Sequence, residues 1–158
     1  MKKLSPETLR QHKGISFVGV TTSFICHDGK GHIFMAKRTP KCRDEIGRWD
    51  NGGGGLKWGQ KAKENAIREI KEEYSVTPQK IDFLGYRDVF RIQNDTKTHW
   101  LSLDFLAEVD PKKVKINEPD FFTDSGWFSL DNLPQPLHSQ FPTILKKYRA
   151  ALGRIWAK

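Results

Sequence analysis

Three glutamates, Glu69, Glu72 and Glu73, stand at i, i+3 and i+4 within Arg68-Glu69-Ile70-Lys71-Glu72-Glu73, a spacing that brings side chains to one side of an α-helix. Carboxylates crowded into one patch repel each other, and desolvation beside an apolar stripe adds to the cost, so the arrangement calls for a cation. Such a stripe is present in Ala66, Ile67, Ile70 and Tyr74. Glu73 borders it most closely, and its partial burial is expected. Arg68, four residues before Glu72, can neutralise one carboxylate. The remaining charge suits a hard divalent ion with oxygen ligands. Taken alone, the hexapeptide reads more readily as a solvent-facing acidic helix laced with i, i+4 pairs.

The residues in front of the helix add to the first reading. Gly52 to Gly55 are consecutive glycines and Gly59 follows; bare backbone there can approach an oxyanion or turn a carbonyl toward a metal. Their spacing is neither that of a Walker A loop nor that of a dinucleotide fingerprint. Loop and helix read as one site.

The elements that must hold this site follow from periodicity. A helical pattern runs from about Lys61 to Ser75, with Pro78 beyond its end. Before it, Ile15 to Cys26 is rich in β-branched and aromatic residues, Asp28-Gly29 marks a turn, and His32 to Lys37 forms the second arm of a hairpin. Arg38 to Asn51 reads as a long loop leading to Trp49. After the helix, Ile81 to Arg91 and Trp100 to Val109 read as strands joined at Gln93-Asn94-Asp95, and Gly126 to Ser129 as another short strand. Phe141 to Trp156 has helical spacing, with Ile144, Leu145, Tyr148, Leu152 and Ile155 as its apolar stripe and Lys146, Lys147, Arg149, Arg154 and Lys158 on its solvated side. Strands on both sides of one central helix, plus a closing helix, predict an α+β or three-layer α/β/α fold on a mixed sheet.

Composition narrows the classes. With 158 residues and 37% hydrophobic content, the chain reads as a single domain, residues 1–14 forming an N-terminal extension and residues 15–145 the core. Cys26 and Cys42 lack any zinc or disulfide spacing. No secretory signal pattern and no bilayer-length apolar run is present, so a cytoplasmic protein without membrane partners is expected. Lysine and arginine outnumber aspartate and glutamate 27 to 19, a formal charge of +8; this biases the surface toward polyanions such as nucleotides or RNA.

Gly54 to Val76 resembles the Nudix box, a 23-residue pattern of Gly, five residues, Glu, seven residues, Arg-Glu-apolar-x-Glu-Glu-x-Gly-apolar. Gly54, Arg68, Glu69, Ile70, Glu72, Glu73 and Val76 match without insertion or deletion. Gln60 stands where the family has its first glutamate, Ser75 where it has its second glycine, and Gly52 where a proline is usual, which should loosen the loop. The likeness continues in the opening strand Phe17 to Phe24, in Trp49, in Trp127-Phe128 and in Leu133-Pro134, and looks closest to MutT-like, nucleotide-directed members through Glu118-Pro119-Asp120.

The resemblance implies a Nudix fold, with the catalytic loop and helix packed on a central mixed sheet, and hydrolysis of a diphosphate bond in a nucleotide-like substrate. It implies that Glu69, Glu72, Glu73 and the Gly53 carbonyl hold Mg²⁺, with Mn²⁺ as a substitute, while Arg68 fixes a glutamate. Glu69 is the candidate base, and Glu118 or Asp124 a further acidic ligand. On the substrate side stand Gly54 and Gln60 of the loop, Arg38, Arg43 or Lys37 for phosphates, and Trp49, Phe90 or Trp100 for stacking a base. A nucleoside triphosphate, a nucleoside diphosphate linked to another group, and an RNA 5′ end are all compatible substrates, and a homodimer is compatible with the reading. Gln60 and the basic charge also fit a non-catalytic domain that only binds nucleotide or RNA.

Overall fold

The computed structural model describes residues 4–156. Lys158, read above on the solvated side of the last helix, lies outside them. The sheet is built by the strands β1 (Gly19–His27), β2 (His32–Arg38), β3 (Trp49–Asp50), β4 (Gly53–Gly55), β5 (Lys80–Gln93), β6 (Thr96–Glu108) and β7 (Phe122–Ser129). It is joined by the helices α1 (Pro6–His12), α2 (Ala62–Tyr74) and α3 (Phe141–Trp156). The main path runs β3-β2-β1-β6-β5, with β4 beside β1 and β7 beside β2. β1 and β6 are parallel, and the other pairs antiparallel.

Alternation along the central strands makes two cores, because successive side chains point to opposite faces. Phe24, Cys26, Phe34, Ala36, Phe105 and Ala107 pack with Ala66, Ile70 and Tyr74 of α2. Their neighbours Ile25, Ile33, Met35 and Leu106 pack with Phe141, Ile144, Tyr148 and Leu152 of α3. Each fully buried aliphatic or aromatic side chain contributes about 1.5–3 kcal/mol. The result is the expected α/β/α arrangement.

β1 and β2 are in register only at their hairpin end, His27 opposite Ile33. Beyond it they part company. β1 takes up the glycine strand, Thr21, Thr22 and Ser23 facing Gly55, Gly54 and Gly53, while β2 takes up β3 and β7. The chain crossing between these two partners is Asp50-Asn51-Gly52. Buried Asn51 fixes that crossing by donating to the Phe24 carbonyl (2.8 Å) and to Ser23 Oγ (3.0 Å).

The structure departs from the sequence reading at three places. The first strand begins at Gly19, and Ile15, Phe17 and Val18 before it are exposed. The glycine run is a paired strand rather than a loosened loop, despite the low strand propensity of glycine. The N-terminal extension contains α1, started by a Ser5 cap whose Oγ accepts from the Thr8 amide at 3.1 Å. Elsewhere the boundaries shift by a few residues. Asn94 and Asp95, both at positive φ, make a two-residue hairpin turn between β5 and β6. Ser75, in the place of the usual glycine, caps α2 in the left-handed region (φ 54°) at a cost of about 1–2 kcal/mol.

Candidate active site

The carboxylate patch is positioned by Asn65 and Arg68. Asn65 is fully buried and donates to Thr22 Oγ1 at 2.8 Å, while its Oδ1 accepts from the Lys57 amide at 3.3 Å. It thereby ties α2 to the strand on which the glycines lie. Asn65 Oδ1 also accepts from Arg68 Nη2 at 2.8 Å, and Gln60 Oε1 from Arg68 Nε at 3.2 Å. The other guanidinium hydrogens go to Glu69 Oε1 (2.5 Å) and to Glu72 Oε2. Arg68 is therefore held by two amides while it pairs with two carboxylates.

Glu73 is 7% exposed, and its Oε2 has no hydrogen-bond partner. Burial pushes its carboxyl well above the usual range, and the charges of Asp50, Glu69 and Glu118 push in the same direction, opposed by a hydrogen bond from the Gly53 amide. Glu118 is brought into the group by its neighbours: Lys115 and Asn117 donate from their amides to the Tyr74 and Glu73 carbonyls at 3.1 and 2.9 Å. Burial and the charges of Glu69 and Glu72 raise its carboxyl in turn. Asp124 lies opposite Lys37 across β2 and β7, is exposed, and accepts from the Ser125 amide, whereas Glu118 is the acid whose carboxyl responds to Glu69 and Glu72.

As they stand, no three acidic, histidine or cysteine side chains among the described residues enclose a single point tightly enough to be a formed metal centre. The side chains present do fit a hard divalent cation. Glu73 Oε2 is buried and unpartnered beside further anionic oxygens, a combination whose cost such an ion relieves.

The glycine strand closes against these acids. A Cβ at Gly54 would lie 2.1 Å from Glu69 Cδ, and one at Gly52 would lie 2.8 Å from Glu73 Oε2. The opposite side of the strand opens on a cavity of about 310 Å³, lined by Gly52, Gly53 and Gly55 together with Arg38, Arg43, Arg87, Arg91 and Trp100. The strand is thus the shared wall between an acidic patch and a cationic cavity.

The arginines of the cavity differ in how far they are already neutralised. Arg38 pairs with Asp44 and Asp50, Arg91 with Asp44 and Glu45, and the buried Arg87 with Asp104 at 2.7 Å. Arg43 has no carboxylate partner among the described residues; its guanidinium lies over the Trp100 ring, 5.5 Å from the centroid. Trp100 is itself seated on glycine, since a Cβ at Gly14 or Gly19 would come within 2.3 or 2.5 Å of the indole.

Several expectations need correction or refinement. Trp49 is not available for stacking a base: it is 8% exposed, packs edge-on against Phe128 at 5.2 Å, and belongs to the core under α3. Phe90 is exposed outside the cavity and stacks on His99 at 4.4 Å. Lys37 is outside the cavity as well, opposite Trp49 and Asp124. Arg38, Arg43 and Trp100 do line it. Sequence reasoning missed Asp50, Asn51, Asn65, Arg87 and Arg91. Of these, only Asn65 carried a local signal, as a polar residue beside Ala66 at the edge of the apolar stripe.

Gln60→Glu places a further charge on Arg68 and beside the acids. We expect it to raise Mg²⁺ affinity about tenfold, the lower end of what groups supporting a metal site contribute. Titration of activity against Mg²⁺ checks this, and an unmoved midpoint counts against a role for position 60.

Comparison with known proteins agrees with this geometry. The NUDIX domain family matches residues 18–148. The NAD-capped RNA hydrolase NudC of Pseudomonas aeruginosa is 31% identical over 121 residues, 77% of this chain and 40% of the relative. The chain thus spans about 40% of the length of the curated relatives it matches. Among solved structures, a MutT NUDIX hydrolase from Burkholderia pseudomallei is 29% identical, with TM-score 0.74 over 83% of this chain and 98% of that one. The NUDIX domain of Shewanella oneidensis NrtR, crystallised with ADP ribose, shares the fold at 17% identity, with TM-score 0.69 over 95% of this chain and 99% of that one. No helix among the described residues is long and apolar enough to cross a membrane. Motif, fold and site geometry converge with these matches: the chain belongs to the Nudix hydrolase family.

Proposed function

We propose that this protein hydrolyses a diphosphate bond in a nucleotide-like substrate, with Mg²⁺, or Mn²⁺ in its place, held by Glu69, Glu72, Glu73, Glu118 and the Gly53 carbonyl. The observation that carries the reading is the unpartnered, buried Glu73 oxygen on one side of a glycine strand whose other side faces an arginine-lined cavity. When bound, the metal supplies neutralisation of the diphosphate charge and a more acidic water.

The chain's own residues do the rest. Arg68, fixed by Gln60 and Asn65, sets the directions of Glu69 and Glu72. Glu69, which packs against Gly54, takes a proton from water in this reading. On the far side, Arg43, carried on the Trp100 ring, binds a phosphate oxygen. The cavity extends well past the glycine strand, which suits a nucleoside diphosphate linked to a second moiety. The name of the NudC relative makes dinucleotides and capped RNA 5′ ends the first substrates to assay. The buried free thiols Cys26 and Cys42 fit a cytoplasmic setting.

The test is a panel of nucleoside triphosphates, dinucleotides, nucleotide sugars, and capped or 5′-triphosphorylated RNA, assayed with Mg²⁺ and Mn²⁺ in ¹⁸O-labelled water to identify the phosphorus attacked. Binding without turnover across the panel would replace this reading with that of a nucleotide-binding domain. The latter is motivated by Gln60 and by the ion pairs that draw Glu69 and Glu72 toward Arg68. Arg43→Ala is expected to raise KM about tenfold and to move kcat less than about twofold, as for the loss of one charged hydrogen bond to bound substrate. A KM that stays put would remove Arg43 from substrate binding.

A further inference from the structure

Between the glycine strand and the carboxylate helix the chain makes a tight turn, residues 57–60, closed by the Gln60 amide donating to the Lys57 carbonyl at 3.1 Å. Gly59 takes one corner at φ +77°. Trp58 takes the other, with a relative exposure of 102%. Exposing an entire indole forfeits the largest apolar burial any side chain offers. The turn asks for no aromatic residue, because its closing hydrogen bond and its glycine corner fix it without one.

The surroundings of the ring are basic. Lys57 and Lys61 flank it in sequence and are exposed. The one opposing carboxylate with an ion pair here is Glu64, 3.8 Å from Lys61 on an exposed surface, a contact of little energetic weight. An aromatic face set among lysines at the edge of a site is the composition that binds single-stranded nucleic acid, bases stacking on the ring and phosphates meeting the cations. A lipid surface fits less well, because a single ring on a turn lacks the long apolar face of an interfacial helix.

We propose that residues 57–60 form a docking surface for a single-stranded polynucleotide chain, Trp58 stacking one base while Lys57 and Lys61 meet the backbone. The inference rests on the proposed hydrolytic function only in taking this polynucleotide to continue from the diphosphate in the site. Trp58 lies outside the carboxylate patch and the arginine cavity, so it selects the length and nature of the leaving group without taking part in bond cleavage.

The experiment uses a fluorescein-labelled ten-nucleotide oligoribonucleotide with a 5′-hydroxyl, which carries no diphosphate and so reports on this surface whether or not the protein hydrolyses anything. Anisotropy titrations of the full chain are expected to give salt-dependent binding. Trp58→Ala should weaken it about tenfold, within the range measured for one base–aromatic stack, with Trp58→Phe restoring most of it. Lys57→Gln with Lys61→Gln should lower the slope of log affinity against log salt by about 1.4. In parallel, kcat/KM for a capped RNA should fall with Trp58→Ala through KM, while that for the free dinucleotide stays unchanged. No binding by the wild type, or equal binding by Trp58→Ala, overturns the proposal. So does a Trp58-dependent association with anionic vesicles or with a second copy of the chain in place of the oligonucleotide. Loss of all turnover in the substrate panel with Trp58-dependent oligonucleotide binding intact would overturn the hydrolase reading alone.

Discussion

Glu73→Gln is expected to lower turnover by about 10²- to 10³-fold, the equivalent of about 3–4 kcal/mol of transition-state stabilisation, while making the metal-free protein more heat-stable at neutral pH. Both effects have one cause. Glu73 is buried with Oε2 unpartnered, and burial together with Asp50, Glu69 and Glu118 raises its carboxyl well above the ordinary range. A group whose folded pKa is raised binds more protons in the folded state than in the unfolded state. Its penalty is absent below the unfolded carboxylate value, about 4.3, and grows as pH rises from there toward the folded value. Chelator-treated wild type should therefore lose Tm between pH 5 and pH 8, and Glu73→Gln, which keeps the shape without the charge, should lose less. Adding Mg²⁺ or Mn²⁺ should raise the wild-type Tm and do little for the variant. Parallel Tm profiles for the two proteins, or a variant as active as wild type, would remove Glu73 from the site.

Gly54→Ala is expected to reduce turnover about 10²-fold or more, the usual worth of a positioned proton acceptor, with only a small change in Tm. Gly54 needs no left-handed backbone, so alanine is conformationally acceptable there. Its methyl group would lie 2.1 Å from Glu69 Cδ, and the carboxylate, at the far end of a flexible side chain, must swing away. That movement breaks the alignment set by Arg68. Combining Gly54→Ala with Glu69→Gln should cost little more than either change alone, because both act on one carboxylate. Full additivity in that double-mutant cycle would show that the methyl acts elsewhere, and a fall in Tm of about ten degrees or more, well beyond the roughly 2–4 °C that 1 kcal/mol costs a domain of this size, would show that it acts on the fold.

What was legible in the sequence is what local rules govern. The glutamate helix appears within one residue of its expected limits, Glu73 sits on its buried edge as the helical period requires, and α3 spans Phe141–Trp156 as read. The rest depends on partners remote in sequence. Nothing local tells that Gly53–Gly55 would be a strand, because its conformation is set by Thr21 to Ser23 on one edge and by Glu69 against its surface. Trp49 was misread for the same reason: proximity to the loop along the chain is not proximity to the cavity, and its ring turns toward Phe128. The arginines Arg87 and Arg91, on β5, enter the cavity only because that strand pairs with β6, and β6 with β1.

The parallel register of β1 with β6, Gly19 opposite Trp100, bears on how the protein is made. A ribosome would deliver Arg38, Arg43 and the acidic helix early, but Arg87, Arg91 and Trp100 of the opposite wall come from the second half of the chain. Non-local pairing of this kind is slow to close. During synthesis the acidic helix would thus emerge with only part of its opposite wall, and that wall is completed when the β5–β6 hairpin joins β1.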